Sequence, residues 1–175
     1  MRRKRNYGFS DVFANPINIF AIFILIRFYF VISPFLLPQD AYYFLYTDSL
    51  SLSYFDHPPM ISWILYIFRL IFGRNLFAIK IADFSVSIAT LFAFYQLAKT
   101  FKKDINKSLL VAISSVLLTV ITLITTPDIP LVLFWCLSVL FLYKAIFEQK
   151  QLYWVFGGIA MGLALSLIHI LTLPT

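Results

Sequence analysis

Between Gln39 and Pro59 the chain places three carboxylates, a histidine and a Pro-Pro pair between segments apolar enough to lie in lipid (PQDAYYFLYTDSLSLSYFDHPP, read from Pro38). Charge kept at a membrane surface among aromatics is costly unless it has a task. Asp40 follows the first apolar run and is flanked by Ala41, Tyr42 and Tyr43. Burial there would raise its pKa toward the range of a general base. The competing reading is an acid placed in the first turn of a helix. Asp56-His57-Pro58-Pro59 is more specific, because a residue before proline is pushed to extended geometry, which fixes the direction of its side chain. Asp56 is a candidate to bind a metal, orient an acceptor, or pair with Arg27 or Lys80, and His57 to hydrogen-bond a phosphate or share the metal. A helix N-cap accounts for the same residues without chemistry.

Other polar residues are fewer. Thr126-Pro127-Asp128 reads as a tight turn and helix start, with Asp128 brought to the same membrane face as Asp40 and Asp56. Arg27 lies mid-way along an apolar run, where arginine usually faces protein or a water-filled cavity. Lys80 and Asp83 are three residues apart and read as a self-neutralising pair. His169 reads as an interhelical hydrogen bonder. Cys136 is the only cysteine, so an intrachain disulfide is excluded, and it reads as a small apolar residue.

The elements that must carry these residues are apolar helices. Of 175 residues 61% are hydrophobic and 13% charged, about half the charge of an ordinary soluble domain. The mean hydropathy is +0.88 and the apolar residues come in runs. With a span needing about 20 apolar residues, the expectation is an all-α, multi-pass transmembrane bundle of about five spans: Ile17–Leu37, Leu76–Ala98, Ser108–Thr125, Ile129–Phe147 and Leu152–Leu171. The first resembles a signal peptide at its basic start but is too long for a cleavable core, and reads as a retained span. Residues 38–75 form the first external loop, with two helices expected to lie in the interface. One covers Gln39–Leu50, with Asp40, Tyr43 and Thr47 on one face. The other covers Met60–Phe72, started by the two prolines and ended at Gly73. Arg69 and Arg74 at its end suit lipid phosphates.

The net charge of +6 would suit nucleic acid, but its placement argues against that partner. Arg2, Arg3, Lys4, Arg5, Lys99, Lys102, Lys103, Lys107, Lys144 and Lys150 are ten of the fourteen basic residues, and all fall on one side of the alternating spans. The positive-inside rule then puts the N-terminus in the cytoplasm of a plasma (inner) membrane protein.

At Asp40-Ala41-Tyr42-Tyr43, Tyr54 through Pro59 and Thr126-Pro127-Asp128, in order and spacing, the sequence resembles the GT-C type glycosyltransferases that use polyprenyl-phosphate sugars. That branch contains protein O-mannosyltransferases and lipid A aminoarabinose transferases. The resemblance runs from about Arg27 onward and makes residues 1–175 the expected N-terminal transmembrane portion of such an enzyme, since members are usually several times longer. It implies sugar transfer from a polyprenyl-phosphate donor to an acceptor glycan, lipid or protein hydroxyl on the outer face. Asp40 is then the base, and Asp56, His57, Asp128, Tyr43 and Arg27 are the substrate-binding candidates. No cofactor is required by it beyond a possible divalent metal at Asp56 and His57. The family's first acid falls on Gln39, which cannot take a proton, and Asp40 falls on the following Glu. Many relatives carry a lysine near the end of the fifth span, where this chain has Ser166-Leu167-Ile168-His169. A non-catalytic multi-span protein that binds lipid-phosphate or serves as a complex subunit is the alternative.

Overall fold

The computed structural model describes residues 15–52, 54, 58–115 and 123–165. Among them the fold is all-helical, without strands. In chain order the helices are α1 (Pro16–Ile32), α2 (Pro38–Leu45), a single 3-10 turn at Tyr46–Asp48, α3 (Met60–Phe72), α4 (Leu76–Thr100), α5 (Ile105–Ser114), α6 (Asp128–Phe147) and α7 (Leu152–Leu165).

Two of these, α4 and α6, are long and apolar enough to cross a membrane, and α1, α3, α5 and α7 are shorter apolar helices. At about 1.5 Å per residue α4 reaches about 37 Å and α6 about 30 Å, the thickness of a hydrocarbon core. The first expected span ends early. Ser33 precedes Pro34 and takes extended geometry (φ −71°, ψ 130°), as a residue before proline must, so Ser33–Leu37 are not helical. The third and fifth expected spans are represented by α5 and α7; residues 116–122 and 166–171 lie outside the described set, while 115 and 123–125, expected in the third span, are not helical.

The central element is α4, which packs against α1, α3, α5 and α6. Its start is fixed by Asn75, whose side chain accepts a hydrogen bond from the Ala78 amide at 2.9 Å, satisfying one of the orphan donors of a helix N-terminus. On α1 the buried residues are Ile19, Phe23, Arg27 and Val31, an i, i+4 stripe facing the bundle. Three apolar clusters hold the helices together. Tyr43, Phe44, Ile61, Leu65 and Ile79 join α2, α3 and α4. Ile19, Phe23, Leu91 and Leu109 join α1, α4 and α5. Ala93, Leu97, Cys136 and Leu140 join α4 and α6. Large apolar side chains such as Leu25, Leu70, Ile71, Phe147 and Ile159 remain exposed on the outside, the surface expected where lipid is the solvent.

The loop helices keep close to their expected bounds. Helix α3 runs from Met60 to Phe72 and stops at Gly73 (φ 83°), whose amide donates to the Arg69 carbonyl at 2.8 Å. That left-handed backbone favours glycine. The region expected to be one helix from Gln39 to Leu50 is instead α2 followed by the 3-10 turn. The loop after it is pinned by two aromatic hydroxyl and indole donors or acceptors. Tyr54 stacks on Tyr46 at 4.1 Å, and its hydroxyl bonds the Tyr46 and Ser49 carbonyls and the Ser51 amide. Trp63 Nε1 donates to the Ser51 carbonyl at 3.1 Å.

Arg69 and Arg74, whose position at the end of α3 suits lipid phosphates, share a carboxylate partner within the chain. Both pair with Asp48, Arg69 at 2.6 Å and Arg74 at 2.8 Å, and Arg69 also donates to Thr47 Oγ1 at 2.7 Å. A carboxylate at the end of the 3-10 turn offers two oxygens to two guanidinium groups and so clasps α2 to the end of α3.

Candidate active site

Asp40 is the node of the site. Pro38 occupies the first turn of α2, where its missing N–H costs nothing. That places Asp40 at the third helical position, and its Oδ2 accepts from the Leu37 amide at 3.1 Å. The same oxygen accepts from Lys80 Nζ at 2.8 Å, reaching from α4 across 40 residues of sequence. Oδ1 accepts from the Thr125 amide at 3.1 Å, just before α6. One fully buried carboxylate thus ties the loop helix, the central helix and the turn leading into α6.

Thr125 extends the network. It is itself buried, and its hydroxyl donates to Asp83 Oδ2 at 2.7 Å. Lys80 and Asp83 lie one turn apart on one face of α4, yet the ammonium pairs with Asp40 and Asp83 is held by Thr125. The expected self-neutralising Lys80–Asp83 pair is therefore not the arrangement adopted. Two carboxylates share this pocket, and the lysine goes to the one that the loop brings over it.

The electrostatics of Asp40 also differ from expectation. Burial pushes its carboxyl up, but the Lys80 ammonium and the Leu37 and Thr125 amides outweigh that, and it lies below the usual carboxylate value. Hydrogen bonds and an opposite charge that favour the ionised form do this. Asp40 is held as a carboxylate, not poised near neutrality.

Arg27 is buried in α1 with its guanidinium 4.8 Å from the Phe23 ring centroid, one turn back. It shares a cavity of about 20 Å³ with Lys80 and Asp83, room for about one water. Next to it lies an apolar crevice of about 170 Å³ lined by Phe30, Phe35, Leu37, Leu123 and Ile124, with Lys80 in its wall. Lys80 thus borders both spaces.

The other expected site residues are distributed as follows. Asp128 is exposed in the first turn of α6, three residues past Thr125, so the Thr126-Pro127-Asp128 turn and Asp40 come to the same end of the bundle. Tyr43 is buried in the apolar cluster beneath α2, edge-on to Tyr42 and Tyr46. Asp56 and His57, with the metal suggested for them, lie outside the described residues. Among the described residues no three His, Cys, Asp or Glu side chains gather as a metal site would require. Sequence reasoning missed Thr125 altogether and gave Lys80 and Asp83 to each other. The available signal was their ionisable character inside an apolar helix, which by itself marks a candidate site.

A family of membrane glycosyltransferases, described as dolichyl-phosphate-mannose-protein mannosyltransferase, matches residues 56–168, nearly two thirds of the chain. The matched stretch begins after Asp40 and takes in Lys80, Asp83, Thr125 and Asp128. No curated protein and no solved structure matches the chain. The match takes in Asp56-His57-Pro58-Pro59 and Thr126-Pro127-Asp128 and agrees with the all-helical, apolar fold of the described residues, and on it the chain belongs to the dolichyl-phosphate-mannose-protein mannosyltransferase family.

Proposed function

We propose that this chain is the N-terminal transmembrane portion of a GT-C type glycosyltransferase that moves a sugar from a polyprenyl-phosphate donor to an acceptor hydroxyl. The transfer takes place at the outer face of a plasma (inner) membrane, with the chain's N-terminus in the cytoplasm. The observation that carries the reading is the meeting of Asp40, Lys80 and Thr125, which gathers the first-loop acid and the Thr-Pro-Asp turn over one buried cation. The crevice beside Lys80 is apolar, which suits a hydrocarbon chain whose phosphate must end near positive charge.

In this reading Asp40 Oδ1 takes the proton of the acceptor hydroxyl. A C–O bond forms at the anomeric carbon, the bond from that carbon to the phosphate oxygen breaks, and the lipid phosphate leaves with the electron pair. Oδ2 is occupied by Lys80 and Leu37, whereas Oδ1 carries the Thr125 amide alone and keeps a lone pair for a hydroxyl. Lys80 keeps the carboxylate ionised, hence always in the form that accepts a proton. Asp128 at the rim, together with Tyr43, Arg27, Asp56 and His57, remains on the substrate side of the proposal, and any divalent metal would be held by the last two.

A second reading is favoured by the complete burial of Asp40. Here the carboxylate anchors the loop, and the chain binds lipid-phosphate without transferring sugar. The two separate in one assay, with the purified chain and its Asp40→Asn variant given a labelled polyprenyl-phosphate sugar and an acceptor. Turnover by the wild type that the variant loses by at least about 10²-fold, with donor still bound, fits a general base. Binding without turnover in both removes the catalytic reading, and full turnover by the variant removes Asp40 from the chemistry.

A further inference from the structure

The far end of the bundle carries a second, differently built feature. From Lys80 to Thr100 along α4 is about 30 Å, so the lysine-rich end lies a membrane thickness from Asp40. There α4, α5 and α6 leave an open groove of about 650 Å³, with Leu97, Phe101, Val111 and Trp135 along it and Lys103 and Lys107 at its mouth. The position of Lys103 is set by the end of α4. Lys102 takes the left-handed conformation (φ 53°), and the Lys103 amide donates to the Ala98 carbonyl at 2.9 Å, the six-to-one bond of a Schellman cap. A non-glycine residue in that conformation is disfavoured, and here it turns Lys103 back toward the groove. Lys107 has a partner in Asp104 at 3.4 Å, but both side chains are more than half exposed, and such a pair is weak.

We propose that this groove holds one acyl chain of an anionic phospholipid, with the lipid phosphate between Lys103 and Lys107. The dimensions select this occupant. Along α4, the helix that lines it from Phe94 to Phe101, the groove extends about 10 Å. One leaflet's hydrocarbon is about 15 Å deep, whereas a transmembrane helix of a second copy runs about 30 Å. A groove whose lining on α4 falls within one leaflet's depth, apolar along that helix and with Lys103 and Lys107 at its mouth among the described residues, matches a lipid of that leaflet. The site is independent of the sugar-transfer reading and stands at the opposite end of α4 from it.

Trp135 reports on it directly. The chain has three tryptophans, and replacing Trp63 and Trp154 by Phe leaves Trp135 as the only emitter. The full chain is placed in phosphatidylcholine vesicles in which either phosphatidylglycerol or phosphatidylcholine carries brominated acyl chains, at equal mole fraction. Bromine quenches indole on contact. Two lysines near a phosphate, one of them partly offset by Asp104, predict roughly tenfold enrichment of the anionic lipid at the groove. Brominated phosphatidylglycerol therefore quenches Trp135 at a far lower fraction than brominated phosphatidylcholine. Lys103→Gln with Lys107→Gln abolishes the difference, while Lys99→Gln with Lys102→Gln, equal in charge but outside the groove lining, preserves it. Equal quenching by the two lipids, or equal loss in both double variants, overturns the site in favour of ordinary surrounding lipid. No quenching by either lipid overturns it in favour of a protein segment covering the groove.

Discussion

Replacing Lys80 by Met tests the centre of the fold and the site together. Lys80 Nζ is 2.8 Å from Asp40 Oδ2, with the lysine side chain 8% and the aspartate 0% exposed. Removing one member of such a pair leaves the other charge buried without a counter-ion, which costs about 3 kcal/mol or more. Lys80→Met should lose about that much, whereas Asp40→Asn should lose less, because Asp83 stays one turn away on the same face of α4 as the ammonium. The double variant leaves two neutral groups of similar shape and should lose no more than Lys80→Met alone, so the two single losses do not add. Reversible unfolding of the four proteins in mixed micelles, followed by circular dichroism, measures the cycle. pH adds a second reading. The Asp40 carboxyl lies below its ordinary value, so its contribution is present above the unfolded value of about 3.9 and is lost as pH falls through the folded value. In Lys80→Met the carboxyl keeps its burial and loses its cation, so its pKa rises relative to the wild type and acid unfolding begins at higher pH. Asp40→Asn removes that titration. Losses that add within about 0.5 kcal/mol, or identical acid transitions for Lys80→Met and wild type, would refute the pairing.

Two further outcomes use the same unfolding assay. Asp48→Ala removes the shared partner of Arg69 and Arg74, but these groups are between 23% and 55% exposed, so the loss should stay near about 1 kcal/mol and shrink with added salt. Gly157→Val forces a side chain toward Leu142, whose Cδ2 would lie 2.9 Å from a new Cβ; the overpacking should cost about 1–3 kcal/mol, and an unchanged stability would show that Leu142 turns aside at little cost and does not hold α7 at its distance.

Helix-level features were legible wherever a local residue type dictates a backbone state. Pro58-Pro59 and Gly73 bracket α3 at Met60 and Phe72, and Asn75 opens α4. The end of α1 was equally written in Ser33-Pro34, but hydropathy runs unbroken through those residues to Leu37. A reading based on apolar length therefore overran a stop that steric rules impose. The division of Gln39–Leu50 into α2 and a 3-10 turn has a tertiary origin. Asp48 is drawn to Arg69 and Arg74, and the Thr47 hydroxyl turns back to the Phe44 carbonyl at 2.6 Å.

The site was legible as a set of residues but not as a set of pairs. Local spacing offers Lys80 only Asp83, three residues on, as a partner. The contacts that decide the matter span 40 residues to Asp40 and 42 from Asp83 to Thr125, and no periodicity encodes those. A consequence follows for Asp40 itself. Buried without compensation it would have been a strong base with little ionised form; with Lys80 and two amides it is a weak base that is always ionised. The proposed sugar transfer, in which the phosphate leaves as the acceptor oxygen bonds the anomeric carbon, asks less of the carboxylate's basicity than of its position. A fixed, permanently charged Oδ1 facing the Thr125 turn therefore suits that chemistry better than the raised pKa that burial alone would have produced.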